Sequence, residues 1–188
     1  DPWYNIPARE RLDSAGMVLC PGVVDTHTHS DMVLLHDGRQ PASITQGVTT
    51  EILGQDGLSY APLSPDNLRS YALYLKGIDG MFCDVPLDFT STEQYLSRFE
   101  GKTGVNVAYL VPHCALRLET VGFENRLLTP SEMMLAQTML RQGIREGAKG
   151  LSTGLSYFPG AFSDTEELVE LCKAVANEGG VYVTHLRT

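Results

Sequence analysis

Residues 21–31 read Pro-Gly-Val-Val-Asp-Thr-His-Thr-His-Ser-Asp, and the reading of this stretch decides the fold. The apolar residues around it, Val18 and Leu19 and then Val23 and Val24, predict a short buried strand. The strand ends in a His-x-His pair. Side chains alternate along a strand, so His27 and His29 share one side, with Cα atoms roughly 6–7 Å apart. At that spacing two neutral imidazoles can reach one metal ion. The competing reading is two histidines in a polar loop. Asp25 and Asp31 flank the pair, and carboxylates commonly orient metal-bound imidazoles.

Working outward, the same pattern recurs. Thr49–Leu53 predicts a second strand that stops at the turn Gly54-Gln55-Asp56-Gly57. Ser64-Pro65 opens a helix with Leu68, Tyr71, Ala72 and Leu75 at helical spacing. Thr90 and Glu93 read as a capping box before a helix that presents Tyr95, Leu96 and Phe99. Val105–Val111 predicts a third strand ending at Pro112-His113-Cys114. Thr129-Pro130-Ser131-Glu132 combines cap, proline and box, and opens a helix to about Glu146. Ala148–Gly154 predicts a fourth, small-residue strand. Ser163-Asp164-Thr165-Glu166 opens a helix through Glu178, closed by Gly179-Gly180, and Val181–His185 is the fifth strand. A short helix follows Pro41. Residues 1–17, with Pro2, Pro7 and Gly16, read as an irregular lead-in, the remnant of another domain, and residues 18–188 are expected to form the main domain.

Apolar strands alternating with amphipathic helices imply a parallel sheet covered by helices. The ionisable residues gather where strands end: His27, His29, Asp56, His113, Tyr157 and His185. A (β/α)₈ barrel places its active site at that face. A doubly wound sheet also uses strand ends, but no glycine-rich phosphate fingerprint follows the first strand.

Composition bounds the rest. The 188 residues carry a formal charge of −9, which argues against nucleic acid or an anionic membrane as the main partner. No apolar run is long enough to span a bilayer, and no signal peptide is evident. Cys20, Cys83, Cys114 and Cys172 are widely spaced without a Cys-x-x-Cys pair, and are expected to be buried free thiols in a cytoplasmic protein.

At these residues the chain resembles the amidohydrolase superfamily, and within it the N-acyl-D-amino-acid deacylases (D-aminoacylase family). The resemblance rests on PGVVDTHTHSD at 21–31, ITQGVTTEILGQDGLSYAP at 44–62, PHCALR at 112–117, GAKGLSTGLSYFPGAFSDTEEL at 147–168 and GGVYVTHLRT at 179–188. It implies a (β/α)₈ TIM-type barrel binding one or two Zn²⁺ ions, with His27, His29 and His185 as ligands. It also implies a substrate-facing Tyr157, for which packing under a loop is the alternative. Asp56 falls where many family members carry a bridging cysteine; a carboxylate can ligate zinc but is harder than a thiolate. Its alternative is a plain turn residue. His113 is either a substrate contact or a supporting core histidine. His36 reads as a surface residue. Lys149, at the start of its strand, is expected to be solvated rather than a carboxylated metal bridge.

The expected activity is zinc-dependent hydrolysis of a linear amide in an acylated amino acid. A cyclic-amide hydrolase of the hydantoinase or dihydroorotase type, and a non-catalytic scaffold, are the alternatives. A complete barrel needs about 250 residues. Only about five of eight β/α units are counted here, so an N-terminal fragment is expected, completed by the remainder of the barrel in the same polypeptide or another chain. The resemblance places a catalytic aspartate beyond Thr188.

Overall fold

Parallel strands in sequence order, with helices packed on their outer face, form the frame. The structure, a computed structural model, describes residues 7–187. Two three-stranded parallel sheets make up this frame. The first runs β1 (Val23–Asp25), β2 (Val48–Leu53) and β3 (Asn106–Tyr109). The second runs β4 (Val111–Pro112), β5 (Gly150–Gly154) and β6 (Val181–His185). Only Leu110 separates β3 from β4. Its N–H donates to the Leu53 carbonyl at 3.1 Å, while Lys149 N–H donates to the Tyr109 carbonyl at 2.7 Å. The 106–112 stretch therefore pairs with β2 on one side and with the approach to β5 on the other, and joins the sheets. This is the ladder expected of consecutive β/α units.

The helices follow their sequence signals. They are α1 (Asp31–His36), α2 (Pro41–Ile44), α3 (Pro65–Asp79), α4 (Thr92–Ser97), α5 (His113–Thr120), α6 (Pro130–Arg145) and α7 (Thr165–Asn177). Thr129 and Glu132 close the expected capping box on α6. Asp164 caps α7 by accepting from Glu167 N–H at 2.9 Å. On α4 the cap lies one residue later than expected, and it is not a full box. Ser91 accepts from Gln94 N–H at 3.2 Å, and Gln94 Oε1 accepts from Thr90 N–H at 2.8 Å. The core lies between sheet and helices: Leu53, Tyr109, Val111 and Leu151 from the strands meet Leu68, Tyr71, Leu75, Leu140 and Leu171 from the helices. The opposite faces of Ile52, Ala108, Val181 and Val183 line an apolar hollow of about 400 Å³.

Three expectations are corrected. The first strand does not begin at Val18, since Val18 and Leu19 are almost fully exposed. Pro21 lacks the N–H that a ladder needs, and pairing starts only at Val23. Nor is this strand buried: β1 pairs only with β2 among the described strands, and Val23 and Val24 are half exposed. The chain after Pro112 is helical, because the buried run His113-Cys114-Ala115-Leu116-Arg117-Leu118 continues at helical pitch as α5. The cysteines are free, yet Cys20 and Cys83 are exposed because each lies in a connecting segment; only Cys114 is buried. Residues 1–6 of the expected lead-in lie outside the described residues, and residues 7–17 form no helix or strand. Among the described residues, no helix is long and apolar enough to cross a membrane.

Candidate metal centre

Three strand ends bring four side chains together. β1 stops at Asp25, whose Oδ1 accepts from the His27 N–H at 3.1 Å and shapes the bend that carries both histidines. β2 stops at Leu53, and the 3₁₀ turn Gln55–Gly57 lifts Asp56 over the same end of the sheet. β6 ends on His185. His27 Nε2, His29 Nε2 and His185 Nδ1 lie 3.4, 3.3 and 3.6 Å from one atom, Asp56 Oδ2. A single carboxylate oxygen does not accept three good hydrogen bonds at that range, since N–H···O contacts favour about 2.9–3.0 Å. Donor atoms held about 2.0–2.1 Å from one zinc at tetrahedral angles stand about 3.3–3.5 Å apart. The ligand atoms of His27, His29 and Asp56 all fall within 4.8 Å of one another, so this group can hold a metal ion. Its nitrogen and oxygen donors suit zinc and its neighbours.

The turn that presents Asp56 is built with care. Asp56 is 4% exposed and has φ +57°, a left-handed conformation uncommon for a side-chain-bearing residue. Ser152, buried in the middle of β5, holds it from below. Its hydroxyl donates to the Gly54 carbonyl and accepts from Gly57 N–H at 3.0 Å. Gly154 must lack a side chain, because a Cβ there would stand 2.0 Å from the Asp56 carbonyl oxygen. The small-residue pattern of β5 is thus shaped by the neighbouring turn.

The acids flanking the His-x-His pair do not orient imidazoles, contrary to the sequence expectation. Asp25 caps the bend. Asp31 is fully buried and accepts from the Ser59 hydroxyl, the Tyr95 hydroxyl at 2.9 Å and Gly54 N–H at 3.4 Å. Burial raises its pKa above the ordinary aspartate value despite these donors. On the side of His29 away from Asp56 stands Asp79, whose Oδ1 is 3.9 Å from His29 Nδ1. Burial, and then the charge of Asp31, push Asp79 up to about 7.

Of the other predicted residues, Tyr157 lies half-buried beside the cluster, its ring edge-on to His185 at 5.5 Å. Burial and then the Asp56 charge raise its pKa. His113 does not face open space. It is 0% exposed, and its Nε2 stands 2.7 Å from Glu167 Oε1. Arg117, one helical turn along α5, donates to the other oxygen of Glu167 and to the Arg126 carbonyl. Of the two readings of His113, the buried network that ties α5 to α7 favours the supporting core histidine. His36 lies at the surface, stacked on Phe82 and 2.9 Å from Asp84. Lys149 is exposed and precedes Gly150, which pairs with Val181, whereas His185 pairs with Gly154. Five residues of rise, roughly 16 Å, separate Lys149 from the level of the cluster. Sequence reading missed Ser152, Asp79 and Glu167, whose patterns match ordinary helix or strand positions.

No family model matches the chain. It is 35% identical over 181 residues to D-aminoacylase of Alcaligenes xylosoxydans xylosoxydans, a match covering 96% of this chain and 36% of that protein. A solved D-aminoacylase, described as defining a novel subset of amidohydrolases, superposes with a TM-score of 0.75 at 34% identity, over 89% of this chain and 34% of that one. N-acyl-D-glutamate deacylase of Bordetella bronchiseptica, solved with zinc and a phosphonate inhibitor, gives a TM-score of 0.84 at 31% identity, over 98% and 38%. The chain thus spans about a third of the length of the relatives it matches. Over that span it is similar to D-aminoacylase and to N-acyl-D-glutamate deacylase, and its parallel β/α frame has the fold of the matching third of those chains.

Proposed function

We propose that these residues form the metal centre of a zinc-dependent hydrolase that cleaves the linear amide of an N-acyl-D-amino acid, releasing a D-amino acid and a carboxylate. The convergence of His27, His29 and His185 on one oxygen of Asp56 at 3.3–3.6 Å carries this reading. His27, His29, Asp56 and His185 hold one or two ions. When bound, a zinc-class ion supplies Lewis acidity to the amide carbonyl and lowers the pKa of water. Asp56, in the place of a thiolate, leaves the centre open to harder divalent cations than a cysteine would. Tyr157 flanks the substrate beside His185. His113 acts through the packing of α5, without touching substrate. The remainder of the barrel, from the same polypeptide or another chain, closes the site, and the resemblance assigns to it the aspartate that passes a proton to the leaving amine.

The cyclic-amide alternative loses its support with Lys149, which lies roughly 16 Å down the strand from the cluster. The test uses full-length protein, stripped of metal with a chelator and reloaded with zinc. It is given N-acetyl forms of D- and L-glutamate, aspartate and leucine, and hydantoin. Zinc-dependent release of a D-amino acid, with the L-forms untouched, is the expected result. Zinc-loaded protein that opens hydantoin and leaves every N-acetyl-D-amino acid intact contradicts the proposal.

A further inference from the structure

The buried stripe of α3 runs Leu68, Tyr71, Ala72, Leu75 and Asp79 at helical spacing. The last of these is an acid where the pattern calls for an apolar residue. Two costs attach to it. Burying a carboxylate forfeits its hydration. A negative charge in the last turn of a helix also opposes the helix dipole. Asp79 is 3% exposed, and its Oδ1 has no hydrogen-bond partner. His29 Nδ1 is likewise buried without a hydrogen bond. The two orphaned atoms face each other at 3.9 Å. His29 meanwhile points its other nitrogen, Nε2, at Asp56.

We propose that Asp79 is the positioning residue of the centre: it takes the Nδ1–H of His29, fixes the ring's tautomer and leaves the Nε2 lone pair free for the ion. The inference rests on the metal reading above. A carboxylate behind a ligating imidazole orients the ring and raises its basicity, and removing such a partner typically weakens metal affinity about 10–100-fold. Asp31 cannot serve, because the Ser59 and Tyr95 hydroxyls and Gly54 N–H already occupy it.

The experiment compares full-length parent, His29→Ala, Asp79→Leu and Asp79→Asn by competition for zinc against a chromogenic chelator, and by thermal unfolding of the metal-free proteins. Asp79→Leu is expected to lose about 10–100-fold in zinc affinity, while its metal-free unfolding midpoint holds or rises. A merely structural acid does not produce that split. Asp79→Asn keeps an acceptor without the charge and is expected between parent and Asp79→Leu; it decides the matter should the leucine variant fold poorly. Parent-like affinity in both Asp79 variants, beside a clear loss in His29→Ala, overturns this inference alone. Failure of the parent to take up zinc overturns the metal reading and this inference with it.

Discussion

The histidine–carboxylate clusters around Glu167 and Asp56 are built to different tolerances. Around Glu167 the contacts are short: His113 Nε2 at 2.7 Å on one oxygen and the Arg117 guanidinium on the other. Helix and histidine close on the carboxylate until nothing fits between. Around Asp56 three imidazole nitrogens stop at 3.3–3.6 Å from one oxygen. The first arrangement satisfies both oxygens of its carboxylate. In the second, the ligand atoms of His27, His29 and Asp56 all lie within 4.8 Å of one another, close enough to share an ion, with His185 beside them. Residue type alone does not separate a structural histidine from a ligating one; the contact distance does, together with access, since His113 is fully buried and His27 is half exposed.

The largest effect expected from this contrast lies in the closed cluster. Glu167→Gln leaves Arg117 buried with its charge uncompensated. Removing one partner of a buried pair costs about 3–5 kcal/mol, so urea unfolding should show a loss of that size while zinc affinity stays within about twofold of parent, the expectation for a site outside the metal cluster. The same network sets an acid dependence. Burial alone would raise the Glu167 pKa, but His113 and Arg117 outweigh burial and hold it below its ordinary value of 4.5. Its stabilisation is therefore complete above about pH 4.5 and is lost as the pH falls through the depressed folded value. Glu167→Gln should flatten that part of the stability curve. An unchanged curve would show the network to be idle.

A smaller effect tests how the open cluster is held. Ser152→Ala removes both hydrogen bonds that clamp the Asp56 turn. It should cost about 1–3 kcal/mol of stability, the penalty for leaving buried backbone groups unpaired. Because Asp56 hangs from this turn, zinc affinity should fall as well, which Glu167→Gln is not expected to cause. Zinc affinity equal to parent in Ser152→Ala would break the link between β5 and the centre.

The strands, the capped helices and the ligand candidates were readable because each leaves a local mark. His27, His29 and Asp56 follow apolar strand segments, and Thr129 and Glu132 announce α6 within four residues. The supporting residues leave none. Ser152 meets Gly54 across 98 residues of chain, and His113 meets Glu167 across 54. Ser152 reads as one more small residue of a strand, and Glu167 as one more acid in the first turn of a helix. Only tertiary packing gives them partners. The boundary of β1 was misread for a related reason. Val18 and Leu19 are apolar, but Pro21 prevents the ladder from reaching them.

The central claim is that Asp56, and not Lys149, completes the metal centre. Zinc bound per chain, measured by elemental analysis after equilibrium dialysis of the full-length parent, Asp56→Ala and Lys149→Ala, tests it most directly. Loss of zinc in Asp56→Ala, with parent content in Lys149→Ala, is the predicted result. Zinc retained in Asp56→Ala and lost in Lys149→Ala would place the ion at the other end of β5 and contradict the account.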